Sequence, residues 1–245
     1  MWLFLYVCAI GLTLLRQHTW LQHVSRDAWC CLVRCVALIW ASSIVYRAAW
    51  RCQPLHHLML GDGPNDCLPS DTALYPLFVL AWYLTEIIDL VVATERRKDD
   101  ALLLAHHGIT VLLFAVWGVR GRMHWAAVCF NAVHEVSDIF LESAKVLRRC
   151  KNNAVAQAAS KHLFTTFAVS WFVLRVYYIP FNYLPATLRD PEIDGVIYRK
   201  TILSLIALLQ VAQAYWTLMI TRAVLRQYAG DDRLVDERER DARSK

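Results

Sequence analysis

Apolar segments recur along this chain at lengths that match a bilayer: 2–15, 27–50, 71–94, 100–119, 122–146, 155–184 and 198–227. A helix needs about 20 residues to cross the hydrocarbon core, and most of these segments hold that many. In lipid, every backbone N–H and C=O must find its partner inside the protein, so only helices and closed barrels can span. The runs are long and lack period-two alternation, which selects helices. The expected fold is an all-α, polytopic membrane bundle of about seven transmembrane helices.

Composition supports this. Hydrophobic residues make up 57% and charged residues 19%, against roughly half and a quarter in soluble chains. Ten Trp and ten Tyr suit the membrane–water interface. The net charge of +5 is modest and not gathered into one block, so no nucleic-acid partner is expected. Eight cysteines contain no CxxC pair, which argues against a zinc ribbon or a disulfide scaffold.

Segment 2–15 lacks a basic leader and a small-residue cleavage site, so it reads as a weak first span rather than a signal peptide. Loop charges set the orientation. Arg16 and Arg26, Arg96–Lys98, and Arg148, Arg149 and Lys151 mark alternate connections, whereas Asp62, Asp66, Asp190, Glu192 and Asp194 mark others. The positive-inside rule then places the start of the chain in the lumen and its end in the cytosol, although Arg120 and Arg122 fall against the pattern. Cys52 and Cys67 lie near the second connection, as a lumenal disulfide or as two thiols.

Ionisable side chains inside spans are costly and therefore functional candidates. They concentrate between residues 131 and 145. At 100° per residue, Asn131, His134, Glu135, Asp138, Glu142 and Lys145 project within an arc of about 100°. The competing reading is an amphipathic helix lying in the headgroup plane, but such helices are rich in Lys and Arg, whereas this stripe mixes acids with histidine. The preceding span carries His106-His107. Glu86 and Asp89 share a face and rank behind these. Later, Trp171 and Arg175 share a face, as do Gln210, Gln213 and Trp216, where interhelical contacts and substrate contacts are the alternatives. Histidines facing carboxylates can shuttle protons or take an acyl group. A zinc site from His106, His107, His134 and Asp138 is the chemical rival; the HxxHH-type boxes of di-iron membrane enzymes do not occur.

At these residues the chain resembles the TLC-domain family, and within it the ceramide synthases. The resemblance runs from Arg97-Lys98-Asp99 through His106-His107-Gly-Ile-Thr110 to His134-Glu135-Val-Ser-Asp138-Ile-Phe-Leu-Glu142-Ser-Ala-Lys145, similar to the Lag1 motif His-Asp-x-x-Asp-x-x-x-Glu-x-x-Lys. It continues at Phe164-Thr-Thr-Phe167, Trp171, Arg175 and Pro180, then at Leu209-Gln210 and Trp216, covering roughly 75–227. Glu135 stands where the motif has Asp, and Gln213 where His is common.

The resemblance implies an N-acyltransferase that joins a fatty acyl-CoA to a sphingoid base, giving (dihydro)ceramide, as a multi-pass protein of the endoplasmic reticulum membrane. It implies His106, His107, His134, Asp138 and Glu135 as catalytic positions. Substrate contacts would come from Glu142, Lys145, Asn131, Trp171, Arg175, Gln210 and Trp216. No metal or redox cofactor is implied, acyl-CoA being a co-substrate, and a homo- or hetero-dimer is compatible. Domain boundaries follow as 1–26 for the first span and linker, 27–228 for a TLC-like domain of six helices, and 229–245 for a charged cytosolic tail. The rival is a non-catalytic TLC-domain protein that senses or traffics lipid.

Overall fold

A computed structural model describes residues 26–51, 69–92, 99–120, 124–185 and 196–229. The first span at 2–15, the Cys52–Cys67 pair, Arg96–Lys98 and almost all of the 229–245 tail lie outside the described residues. Among the described residues every regular element is helical. In chain order these are α1 (Arg26–Arg51), a short 3-10 turn (Ser70–Ala73) leading into α2 (Leu74–Val92), α3 (Asp100–Arg120), α4 (His124–Arg148), α5 (Ala154–Trp171) and α6 (Val196–Tyr228). From α5 the chain continues as a wider, π-type helix over Phe172–Tyr183.

Five stretches are long and apolar enough to cross a membrane: Asp27–Ala48, Ser70–Val92, Asp100–Trp117, Ala154–Tyr183 and Ile197–Tyr228. The chain is a multi-pass membrane protein. Large apolar side chains stand outward along these helices, among them Ile39, Val92, Leu112, Val173, Phe181, Val211 and Leu218. In lipid such a surface needs no cover. Helix α4 is not one of the five, because acids and bases interrupt its apolar run. It is nevertheless enclosed, packing most extensively against α1 and α5 and also touching α2, α3 and the π-type segment. Of its ionisable side chains, His134, Glu135 and Glu142 are buried against protein.

Local sequence explains the joints. Asn153 caps α5 by accepting from Ala156 N at 3.0 Å. Gln157 Nε2 donates back to the carbonyls of Arg148 and Cys150 at 3.0 and 3.1 Å, which closes the α4–α5 hairpin. Small residues let these two helices approach: Ser160 Oγ donates to Ala144 O at 2.8 Å, with both residues buried. Threonines 85, 110, 165, 217 and 221 donate to the carbonyl four residues earlier, so their hydroxyls are satisfied without water. Pro180 lies inside the π-type segment, where its missing N–H fits the loosened ladder.

The two ends of the bundle are tied separately. At one end Arg149 Nε donates to Asp27 at 2.7 Å, joining the start of α1 to the exit of α4. At the other, Arg47 Nη2 and Trp40 Nε1 donate to Asp71 at 2.7 and 3.0 Å, and Tyr183 donates to Ala126 O at 2.8 Å. The main core lies toward this second end, around Ile44, Tyr75, Phe114, Trp117, Phe130 and Tyr183. The first end holds a cavity instead.

Candidate active site

The cavity has a volume of about 270 Å³ and is walled by all six helices. Its outer rim holds Asp27, Lys145, Arg148 and Arg226, where α1 begins and α4 and α6 end. Its inner end holds Tyr83, His106, His107, His134, Asp138, Arg175 and Trp216. Fourteen residues of α4 separate His134 from Arg148, about 21 Å at the helical rise. Polar and apolar walls face each other: Arg34, Asp138, Glu142 and Lys145 come from α1 and α4, and Phe164, Phe167, Met219 and Ile220 from α5 and α6.

The histidine pair is held by rings. His106 packs edge-on against Trp216 with centroids 5.0 Å apart, and His107 against Tyr83 at 5.1 Å. The two imidazoles are 5.7 Å apart. Thr110 Oγ1 donates to His106 O at 2.8 Å, one turn on. His106 is 8% exposed, and its Nδ1 has no hydrogen-bond partner among the described residues.

The polar face of α4 divides between two neighbourhoods. His134, Asp138, Glu142 and Lys145 line the cavity. Asn131 and Glu135 turn away from it toward α1 and α2, where Asn131 Nδ2 donates to Tyr75 Oη at 2.7 Å and to Glu135 Oε1 at 3.3 Å. Glu142 accepts from Lys145 Nζ at 2.8 Å, one turn along the same helix.

The carboxylate of Asp138 is gripped by two guanidiniums. Arg34 Nη1 donates to Oδ2 at 2.8 Å, and Arg175 Nη2 donates to Oδ1. The same Arg34 nitrogen donates to Glu135 Oε2 at 2.9 Å. Arg175 also donates from Nε to Ser137 Oγ at 2.9 Å and from Nη2 to His134 O at 2.9 Å, and its Cζ lies 4.3 Å from the centre of the Trp171 ring. The widened pitch of Phe172–Tyr183 carries Arg175, Ile179 and Tyr183 on one buried face. Trp171 Nε1 donates to Thr217 Oγ1 at 3.0 Å, so Trp171 makes an interhelical contact while lining the cavity.

A backbone carbonyl orients His134. Its Nδ1 lies 2.7 Å from Phe130 O, and since a carbonyl only accepts, Nδ1 carries the proton. Its Nε2 faces the Gln213 amide at 3.5 Å. Both oxygens of Asp138 accept from arginine instead. Neither Gln210 nor Gln213 is part of the cavity wall, which takes Trp216 from this face; Gln210 is half-buried, and Gln213 is buried beside His134. Their spacing places all three on one face, but the cavity meets only its last turns. Among the described residues, no group of three or more His, Cys, Asp or Glu side chains is placed to hold a metal.

Arg34, Tyr83, Cys30 and Arg226 line the cavity without having been singled out above. For Arg34 the signal was present: it is an ionisable residue within the apolar run 27–50, the same criterion that picked out α4. For the others, sequence offers no comparable mark.

A profile of the TLC domain matches residues 23–222. Ceramide synthase LOH1 of Arabidopsis thaliana is 28% identical over 230 residues, covering 89% of this chain and 72% of that protein. Ceramide synthase LOH2 of the same plant is 27% identical over 213 residues, covering 80% and 70%. Human ceramide synthase 1 is 28% identical over 189 residues, covering 73% of this chain and 53% of that protein.

Proposed function

The chain belongs to the TLC domain family, and from that membership and its cavity we propose that it is an N-acyltransferase of the endoplasmic reticulum membrane, joining a fatty acyl-CoA to a sphingoid base to give (dihydro)ceramide. The observation that carries the reading is the placement of His106 and His107 at the inner end of a cavity whose rim is cationic. Acyl transfer to an amine needs a proton acceptor and stabilisation of the thioester oxygen as it gains charge. His106 or His107 takes the amine proton as the amine displaces CoA and gives it to the departing thiolate, or first displaces CoA to form an acyl-imidazole that the amine then cleaves. Trp216 and Tyr83 hold the two rings, so little orientation is lost at the moment of reaction. The apolar wall of α5 and α6 suits hydrocarbon chains. No cofactor is required in this scheme beyond acyl-CoA itself. The test is a microsomal assay with labelled sphingoid base and a panel of acyl-CoAs. Labelled N-acyl product dependent on the chain is expected; binding of the lipids without product would favour a sensing or trafficking role.

The rim suits the phosphates of CoA. Lys145, Arg148 and Arg226 stand there, about 21 Å from His134 along α4, a span of the order of an extended pantetheine arm. Arg149 is committed to Asp27 at the same end. Changing Arg148 and Arg226 together to Gln should raise the KM for acyl-CoA about 10-fold, more at low salt, with little change for the amine. Unaltered kinetics in an inserted protein would reduce these residues to topology signals. Lys145→Ala should matter less. Its bond to Glu142 is a part-buried (i, i+3) pair within one helix, near the helix end, so turnover should stay within about 3-fold of the parent when measured side by side.

A further inference from the structure

Arg34 lies on α1, ahead of the segment whose motifs carry the family resemblance. It joins two of the acids of α4 through one nitrogen, at 2.9 Å to Glu135 Oε2 and 2.8 Å to Asp138 Oδ2. Arg175 takes the second oxygen of Asp138 from the π-type segment. Two cations and two anions thus form a balanced set. Asp138 sits on the wall that also presents His106, His107 and His134.

We propose that Arg34 is a positioning residue for acyl transfer that acts through Asp138, with Glu135 holding Arg34 in place. This rests on the reading of the cavity as an acyltransferase site. A carboxylate held by one guanidinium can still turn about its last torsion, whereas a donor on each oxygen fixes its plane. A histidine that gains a proton or an acyl group becomes cationic. A carboxylate whose plane is already fixed meets that new charge without reorganising. Arg34 reaches Asp138 only because α1 is packed against α4, where Cys31 Sγ also meets Ser143 Oγ at 3.4 Å. The geometry also gives Glu135 a reason to differ from the Asp of the motif. Shortening it by one methylene withdraws the carboxylate from Arg34, so Glu135→Asp, although it installs the motif's residue, is expected to lower kcat about 5-fold.

The decisive comparison is Arg34→Met against the double variant Arg34→Met, Glu135→Gln, assayed in full-length protein for melting temperature in detergent, kcat and both KM values. The single variant leaves a buried carboxylate without its cation and should lose stability as well as turnover. The double variant restores the charge balance, so its melting temperature should return close to the parent's. Its kcat should remain about 30-fold low with both KM values within about 3-fold, because Asp138 is still held from one side only. Recovery of kcat along with stability would overturn the proposal and leave Arg34 a counter-ion. Arg34→Lys keeps the charge with a single compact donor and decides the matter alone if the Met variants fail to insert. Lowered kcat at parental stability supports positioning, and parental kcat overturns it. Should the parent itself form no N-acyl product from any acyl-CoA, the acyltransferase reading falls first, and this proposal with it.

Discussion

His106→Ala and His107→Ala should each lower N-acyl product formation by about 10³-fold while the protein still inserts in the membrane. That factor corresponds to about 4 kcal/mol in the barrier. It is the size expected when one member of a cooperating catalytic unit is removed, rather than when a binding contact is trimmed. Insertion should survive because both rings border an existing cavity, so their removal enlarges that space without opening a new void in the core. Losing the ring contact of His106 with Trp216, or of His107 with Tyr83, costs about 1 kcal/mol in stability, far less than the kinetic loss. Product formed per unit of inserted protein in microsomes separates the two effects. Near-parental turnover in both variants would refute the catalytic assignment and favour a lipid-binding role.

The polar face of α4 and the His106-His107 pair were legible because charge inside an apolar run is conspicuous, and helical spacing tells which residues share a side. Spacing does not tell what that side meets. An arc of about 100° held six polar residues, yet the cavity takes four of them, while Asn131 and Glu135 serve Tyr75 and Arg34. The same limit separates Gln210 from Gln213. The partners of Asp138 are set by packing between α4, α1 and the π-type segment, with Arg34 104 residues away in sequence and Arg175 37 away. No periodicity within one helix encodes such pairings. The widened pitch after Trp171 was equally invisible, since Pro180 marks an irregular helix without specifying its form. Membrane character was the most legible property, because hydrocarbon solvent constrains composition over whole segments.

Arg175→Met should be the most destabilising single change in the polar network. Arg175 is 3% exposed and donates to three acceptors on α4: the Asp138 carboxylate, Ser137 Oγ and the His134 carbonyl. Its guanidinium also covers the Trp171 ring. Methionine matches its volume but supplies none of these donors. Asp138 would keep Arg34 alone, and removing one partner of a buried ion pair typically costs about 3–5 kcal/mol. For a chain of this size that lowers the melting temperature by roughly 10 °C. The loss should come mostly from the uncompensated carboxylate rather than from missing attraction. Arg175→Met combined with Asp138→Leu should therefore be more stable than Arg175→Met alone, since an apolar pair can replace a buried ion pair at little cost. Turnover should not recover in that double variant, because the held carboxylate that shares the cavity with His106 and His107 is gone. Thermal unfolding in detergent, read beside N-acyl product formation, distinguishes these outcomes. A double variant no more stable than Arg175→Met would show that Arg175 holds the π-type segment chiefly through Ser137, His134 and Trp171, and that its pairing with Asp138 contributes little to the fold.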